Sequence, residues 1–318
     1  MNDLIVSFLK GDRRALAKAI SIVENDYPQK RELLQRLHCH TGDSYIIGVT
    51  GSPGAGKSSL IRSLTKKLRK IGINVGILAV DPSSPFSGGA ILGDRIRIQD
   101  RIIDEGVFMR SLASRGSMGG LTKNIGGILN VMDAFGYKVL FLETVGVGQS
   151  EIDIMNIAHT VLVVLTPAGG DSIQAMKAGI MEIADVFAIN KADMPGADKT
   201  FIEVSTVLDA GYISSSWRPP LVKTMTVNDM GVDELWQAIT THYSYLKSSG
   251  KLKLIVKERL KQEVVSLLVE RVKNMVLDAL SERHDMEKEI TRVLAKEVDP
   301  YTLAEQMFND SFTIVKPV

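Results

Sequence analysis

Residues 45–68 read YIIGVTGSPGAGKSSLIRSLTKKL, and this stretch decides the fold because it joins a strand, a loop and a helix. The apolar run at residues 45–49 predicts a buried strand of a parallel sheet. Residues 51–58 match the pattern G-x-x-x-x-G-K-[ST] at every fixed position. Apolar side chains then recur at helical spacing at Leu60, Ile61, Leu64 and Leu68. This order of elements predicts a phosphate-binding loop within a doubly wound, mainly parallel α/β sheet.

The loop has the residue types that phosphate binding requires. Glycines let successive backbone N–H groups point at phosphate oxygens, because no Cβ is in the way. We expect Lys57 to bridge the terminal phosphates and the Ser58 hydroxyl to bind Mg²⁺. The predicted nucleotide-binding residues of this segment are Gly51, Ser52, Pro53, Gly54, Ala55, Gly56, Lys57, Ser58 and Ser59.

Composition narrows the class of protein. The chain has 318 residues, 45% of them hydrophobic, and a net charge of +1, so no general electrostatic field favours nucleic acid or anionic membranes. Cys39 is its single cysteine, which excludes an internal disulfide and fits a reducing compartment. No apolar stretch approaches the roughly 20 residues of a membrane span. We therefore expect a cytoplasmic protein that binds neither nucleic acid nor membranes.

Three segments are predicted along the chain. Residues 1–40 form an N-terminal helical extension, residues 41–248 form the P-loop nucleotide domain, and residues 249–318 form a C-terminal helical region. His38, Cys39 and His40 are adjacent, so one metal ion could hardly accept all three, and no second ligand cluster has recognisable spacing. We interpret them as a solvated entry into the first strand.

Acidic residues follow two further predicted strands and are candidates for a magnesium site. Asp81 ends the run VGILAV, at the edge where doubly wound sheets bind ligands. It is a candidate for holding Mg²⁺ or positioning the attacking water, although it would also serve as a turn cap. A glycine-rich segment leads to a second acid, Asp94, and Glu143 ends the run KVLFLE in the manner of a Walker B strand. The candidate catalytic residues are Lys57, Asp81, Asp94 and Glu143.

The tetrapeptide Asn190-Lys191-Ala192-Asp193 predicts which base is bound. A carboxylate at Asp193 would accept the N1–H and the 2-amino group of guanine, an arrangement that adenine does not present. Such a site rejects the wrong base because a buried carboxylate would be left unpaired. Because the tetrapeptide follows a predicted strand far downstream of the phosphate loop, it favours GTP over ATP. Thr226, in a later loop, is the predicted contact to the guanine oxygen.

Long helices are predicted from about Lys251 onward, with apolar stripes among alternating charges. Asp299 and Pro300 start the last of them, with proline at the first helical position. Exposed stripes of this kind pack on their own domain or form a subunit interface, and we favour a homodimer.

Taken together, these motifs resemble the MeaB/ArgK family, which includes the methylmalonic aciduria type A protein. The resemblance covers nearly the full length. The segments that carry it are GDRRALAKAI, HTG, GSPGAGKSSL, AVDPSSPFSGGAILGDRIR, SRGSMGGL, FLETVGVGQSE, PAGGDSIQAMKAGI, NKAD and the helical tail. Members of this family are GTPases of the dimerising SIMIBI class and chaperones of cobalamin-dependent acyl-CoA mutases.

The resemblance implies roles for matching residues. Ser58, Asp81, Asp94 and Glu143 resemble the family's Mg²⁺ site, and Asn190, Lys191 and Asp193 resemble its guanine reader. Residues 224–226 read T-M-T where the family usually has T-S-A, but that loop reads the guanine oxygen largely through backbone N–H. The residues expected to couple nucleotide state to the partner are Arg115, Gly146, Gln149, Asp171, Gln174 and Lys177.

The resemblance thus implies a homodimer that hydrolyses GTP to GDP with Mg²⁺ and gates adenosylcobalamin loading onto an acyl-CoA mutase. Adenosylcobalamin enters only through the partner mutase. One alternative is a kinase of a periplasmic lysine/arginine/ornithine-binding transport protein, against which the guanine-reading tetrapeptide argues. Another is nickel delivery, but five histidines and one cysteine provide no metal-rich tract.

Overall fold

The computed structural model describes residues 1–82, 104–114, 120–144, 156–167, 180–212, 216–283 and 285–311. The chain divides into two compact units, Met1–Leu252 and Lys253–Val318. The N-terminal helices belong to the first unit. The division into three segments that the sequence suggests therefore remains a prediction.

The first unit alternates strands with helices. Its strands in the described ranges are β1 (Tyr45–Gly51), β2 (Val75–Pro82), β3 (Val107–Ser114), β4 (Val139–Thr144), β5 (Thr160–Leu165), β6 (Val186–Ile189) and β7 (Leu221–Lys223). Its helices there are α1 (Asn2–Leu9), α2 (Arg13–Glu24), α3 (Lys30–Leu37), α4 (Lys57–Lys70), α5 (Gly120–Ala134), α6 (Ile180–Ile183), α7 (Ala197–Gly211) and α8 (Val232–Ser248). The apolar runs in the sequence predict strands from Val107 to Ser111 and from Leu221 to Met225. In the structure β3 continues to Ser114, and β7 ends at Lys223.

The strands form one sheet in the order β3-β2-β4-β1-β5-β6-β7, with every neighbouring pair parallel. The predicted doubly wound parallel sheet is confirmed. Because all the strands run the same way, their carboxyl ends meet at one edge, where ligands bind in such sheets. The phosphate loop follows β1, and Glu143 lies one residue before the end of the neighbouring strand β4.

Alternate residues of each central strand enter two separate cores. In β1, Ile46 packs on one face with helices α1, α2, α3 and α5, whereas Ile47 and Val49 pack on the other with α4 and α8. In β4, Leu140 and Phe141 divide in the same way. Burial on both faces explains why these strands read as continuous apolar runs.

The N-terminal helices complete one of these cores. Phe8, Leu16, Ile20 and Leu33 are at most 1% exposed within it. The Asp12 carboxylate accepts a hydrogen bond from the N–H of Arg14 at 2.8 Å, as expected for the residue that caps α2. Helices α1–α3 are thus part of the domain core.

The second unit is helical. It consists of α9 (Lys251–Arg283), which begins at the boundary, α10 (Met286–Leu294) and α11 (Pro300–Ser311). The N–H groups of Tyr301 and Thr302 donate to the Asp299 carboxylate, which confirms the predicted start of the last helix. None of the helices in the described ranges combines the length and apolar character of a bilayer span.

Candidate functional site

The phosphate loop joins the end of β1 to the start of α4, as predicted. Gly56 precedes the helix with φ of +88°, in the left-handed region that side chains disfavour. A Cβ at Gly56 would lie 2.3 Å from Nδ2 of Asn190. Glycine is therefore required at this position both by the local turn and by the nearby side chain of Asn190.

Lys57 is the first residue of α4 and is only 6% exposed. Its Nζ donates hydrogen bonds to the carbonyl oxygens of Gly51 at 2.7 Å and Ser52 at 3.0 Å. These bonds hold the ammonium group inside the curve of the loop. A positive charge is thereby placed beside the backbone N–H groups at the helix N-terminus, where an anion is favoured.

Ser58 and Glu143 meet at the same edge. The Ser58 hydroxyl donates to Oε1 of Glu143 at 2.5 Å, and Glu143 is 7% exposed. Glu143 pairs in register with Val49 of β1 and Ala79 of β2, so it lies between the two strands that the sequence assigns to the site. Two oxygen donors that already touch are a donor set suited to Mg²⁺.

The structure gives less information on the two other acidic residues that are predicted to bind Mg²⁺. Asp81 is the second-last residue of β2, in register with Ala113, but its side chain lies outside the described residues, as does the whole of Asp94. Among the side chains that the structure describes, no group of three or more His, Cys, Asp and Glu could hold a metal ion. His38, Cys39 and His40 form a short exposed turn.

The predicted base-reading tetrapeptide follows β6 directly. Asn190 is 1% exposed, and its Nδ2 donates to the carbonyl oxygen of Ala55 in the phosphate loop at 2.8 Å. Its Oδ1 accepts from the Thr224 hydroxyl at 3.2 Å. Lys191 has φ of +57°, and Asp193 is exposed. Asn190 therefore ties the phosphate loop to the base-reading segment, a connection that the sequence did not predict.

Thr226 lies in a tight turn after β7. Met225 and Met230 exchange two backbone hydrogen bonds, of 2.9 and 3.1 Å, and enclose residues 226–229. The N–H of Ala192 donates to the Thr224 carbonyl oxygen at 3.1 Å, which joins this turn to the tetrapeptide. The phosphate loop, residues 190–193 and the turn at Thr226 are thus connected at one edge of the sheet.

The residues predicted to couple nucleotide state to a partner lie outside the described residues: Arg115, Gly146, Gln149, Asp171, Gln174 and Lys177. The site as described therefore consists of the phosphate loop, the Ser58–Glu143 pair and the two base-reading segments.

Asp185 is a carboxylic acid with a raised pKa, and it lies away from the phosphate loop. It precedes β6, close to the amino ends of the strands, and burial raises its pKa to about 6. Its Oδ1 lies 3.3 Å from Nε2 of His242, whose pKa burial lowers to about 4. This pair is structural, because it lies at the end of the strands opposite to the phosphate loop.

Comparison with known proteins decides the family. The sequence matches the profile of the family described as Methylmalonyl Co-A mutase-associated GTPase MeaB over residues 16–281. The chain belongs to the MeaB family. It is accordingly a P-loop GTPase, and it hydrolyses GTP to GDP and phosphate.

Individual relatives match most of this chain. A Pyrococcus abyssi protein that is provisionally named as a GTPase is 46% identical over 98% of this chain and 96% of its own. The mouse protein named methylmalonic aciduria type A homolog, mitochondrial, is 33% identical over 78% of this chain and 64% of its own. A crystal structure titled LAO/AO transport system kinase is 27% identical, covers 97% of this chain and 96% of its own, and superposes with a TM-score of 0.68.

Proposed function

We propose that this MeaB-family GTPase is a chaperone of a cobalamin-dependent acyl-CoA mutase. In this role its GTP cycle gates adenosylcobalamin loading and protects or reactivates the mutase. The observation that carries the proposal is the match to a family described as mutase-associated, over residues 16–281. The mouse relative supports it, because its name and that of the family both refer to methylmalonyl chemistry.

In this proposal the phosphate loop binds the nucleotide through its backbone N–H groups. Lys57 is buried beside them, and its ammonium group neutralises charge on the terminal phosphates. Asn190 and Asp193 read guanine, while the bond from Asn190 to Ala55 keeps the base reader in register with the phosphates. Catalysis would come from positioning and charge stabilisation.

A magnesium ion would be held by Ser58 and Glu143, with Asp81 and Asp94 as further acids. The ion would neutralise phosphate charge when bound. In the structure the Ser58 hydroxyl donates a hydrogen bond to Glu143. A cation bound by these two residues would replace that hydrogen bond.

Hydrolysis by this chain alone is expected to be slow. Apart from Gln149, which comes after Glu143 in the sequence, the sequence has no obvious glutamine placed as in Ras-like proteins. We propose that the mutase orders the segments carrying Arg115, Gly146, Gln149, Asp171, Gln174 and Lys177, and that it thereby accelerates hydrolysis.

We also propose that the protein is a homodimer. Helix α9 exposes many apolar side chains: Leu254, Leu260, Val264, Val265, Leu267, Leu268, Val269, Val272, Met275 and Leu277 are between 43% and 65% exposed. Val264, Leu268, Val272 and Met275 recur at helical spacing and form one stripe. A continuous apolar stripe of this length is typical of a subunit interface.

The proposal is tested by adding purified acyl-CoA mutases, each with its own adenosylcobalamin, to the purified GTPase. We expect one mutase to co-purify with it in a nucleotide-dependent way and to raise the rate of GTP hydrolysis by about tenfold or more. The Lys57→Ala variant is the control and should respond to no mutase.

Two results would count against the proposal. One is that methylmalonyl-, isobutyryl-, ethylmalonyl- and hydroxyisobutyryl-CoA mutases all leave hydrolysis and nucleotide exchange unchanged. The other is phosphate transfer from labelled GTP to a periplasmic amino-acid-binding protein, which would favour the kinase alternative.

A further inference from the structure

The turn at residues 226–229 is closed by hydrogen bonds at both of its ends. The Thr224 hydroxyl donates to Asn190, and Met225 and Met230 close the turn through their backbone groups. Gly231 follows with φ of +75°, and a Cβ there would lie 2.0 Å from the Lys223 carbonyl oxygen. These contacts shape the turn but do not fix its tip against the rest of the site.

The tip itself has little packing. Val227 is 92% exposed, and Asn228 beside it is exposed as well. With so few apolar contacts, the tip needs a directed polar contact to hold one position.

Asp229 supplies such a contact. Its Oδ1 accepts from the Ser63 hydroxyl at 2.7 Å, and its Oδ2 accepts from Nζ of Lys66 at 2.9 Å. Ser63 is 8% exposed, so one of the two bonds is shielded from water. The hydrogen bond from Lys66 and then that from Ser63 lower the pKa of Asp229, so it is ionised at neutral pH.

The partners of Asp229 lie on the helix that begins at the phosphate loop. Ser63 and Lys66 are in α4, whose first residue is Lys57. Asp229 has φ of +57°, a conformation that aspartate and asparagine tolerate better than most residues. The turn that contains Thr226 is thus bonded through one carboxylate to the element that positions the phosphates.

We propose that Asp229 is a positioning residue for base recognition, which holds the backbone N–H groups around Thr226 at the place of the guanine oxygen. The inference rests on the proposed role of Thr226 and extends it. Loss of the Asp229 contact would leave the turn formed but free to shift relative to the phosphates. Recognition of the guanine oxygen would weaken, whereas contacts to the rest of the nucleotide would stay.

The test changes the α4 side of the contact, so that the turn keeps its own sequence. The double variant Ser63→Ala/Lys66→Met removes both donors to Asp229. The control is Lys67→Gln, which breaks the neighbouring pair between Lys67 and Asp233 on the same helix. Asp229→Asn is a second variant, which keeps the backbone conformation and an acceptor for Ser63 but loses the charge.

The readout is affinity for two diphosphates, measured by competition against a fluorescent GDP analogue. One is GDP, and the other is the diphosphate of 2-aminopurine riboside, which lacks both the oxygen at position 6 and the N1–H. Each variant is compared with the wild type on the same ligand, so the missing N1–H affects both proteins alike. We expect the double variant to weaken the binding of GDP by about three- to tenfold, which corresponds to the loss of one hydrogen bond. The binding of the oxygen-free analogue should weaken by less than about twofold. Asp229→Asn should give a smaller loss in the same direction, and Lys67→Gln should match the wild type.

An equal loss for both ligands would overturn the inference, because it would reflect a general disturbance of the site. Unchanged GDP affinity in the double variant would overturn it as well. If the wild-type protein itself does not prefer GDP over ADP, the proposed guanine site fails and this inference fails with it.

Discussion

Gly56 lies where the phosphate loop passes close to Asn190 of the base reader. Its left-handed backbone and the 2.3 Å approach that a Cβ would make to Asn190 are separate obstacles to a side chain. Gly54 shares only the first obstacle, since its φ is +76° and nothing lies within 4 Å of its Cβ position. Comparing substitutions at the two glycines therefore distinguishes the cost of backbone strain from the cost of the contact with Asn190.

The first prediction compares Gly56→Ala with Gly54→Ala. Strain in the left-handed region should lower the free energy of unfolding by about 1–2 kcal/mol in both. Gly56→Ala should lose about 1 kcal/mol more, because Asn190 must release the Ala55 carbonyl oxygen. Urea denaturation at constant pH measures the difference. Equal losses would show that the contact with Asn190 carries no energy.

Residue types in a fixed pattern were enough to predict the chemical groups of the site. The sequence predicted Lys57, Ser58, Glu143 and Asn190 as functional, and the structure brings them to one edge of the sheet. It did not predict that Asn190 bonds to Ala55 or that Asp229 bonds to α4. Those contacts join residues far apart in the chain, and no local pattern encodes them.

At the scale of elements, β5, β6 and α8 are joined by a series of hydrogen-bonded polar side chains, of which Thr160 and His242 are buried and Asp185 is half-buried. Asp185 accepts from the N–H of Val161 at 2.8 Å and faces His242 of α8. His242 Nδ1 lies 2.7 Å from the Thr160 hydroxyl, which contacts the Tyr45 hydroxyl at 2.5 Å. This series fastens α8 to the sheet through hydrogen bonds in addition to apolar packing.

The second prediction concerns the pH dependence of stability. Asp185 has a folded-state pKa of about 6 against an ordinary 3.8, so its contribution to stability is lost as the pH rises through 6. His242 has a folded-state pKa of about 4 against 6.5, chiefly through burial and then through the charge of Lys251. Its contribution is therefore gained as the pH rises from 4 to 6.5. In the wild type the two slopes oppose each other.

Asp185→Asn should remove the contribution of Asp185 to the pH dependence, so that the contribution of His242 remains by itself. We expect its free energy of unfolding, relative to wild type at each pH, to rise by on the order of 2 kcal/mol between pH 4.5 and 6.5. His242→Gln should show the opposite slope. Urea denaturation at several pH values tests both, and parallel pH profiles for the three proteins would rule out this origin of the dependence.

Hydrophobic periodicity predicted most of these elements, because β1 and β4 are buried on both faces and read as unbroken apolar runs. The ends of the strands were predicted less accurately. Strand β7 has only three residues and is half-buried, so its apolar signal is weak and the predicted end was placed too late. The role of α1–α3 in the core follows from their packing on α5, which periodicity alone does not specify.

At the scale of the whole molecule, the apolar stripe of α9 is the feature to explain. The third prediction is that the wild-type protein has twice the 34.8 kDa mass of one chain in solution. Val264→Glu/Leu268→Glu places two charges in the stripe and should give a monomer, because buried unpaired charges are costly at an interface. Ile202→Glu, at a residue 65% exposed on α7, is the control and should remain dimeric. Sedimentation velocity distinguishes these outcomes, and a double variant that stays dimeric would place the interface elsewhere.

We propose that Asp193 selects guanine while the loop around Lys57 binds the phosphates. Calorimetric titration of the wild-type protein with GDP and ADP, and of Asp193→Asn with GDP and xanthosine diphosphate, distinguishes these two roles. An asparagine amide would donate to the 2-oxo group of xanthine, where the carboxylate accepts from the 2-amino group of guanine. We predict that the wild type prefers GDP over ADP by about 10³-fold or more, and that Asp193→Asn prefers xanthosine diphosphate. Equal affinity of the wild type for GDP and ADP, or an unchanged preference in Asp193→Asn, would contradict the claim.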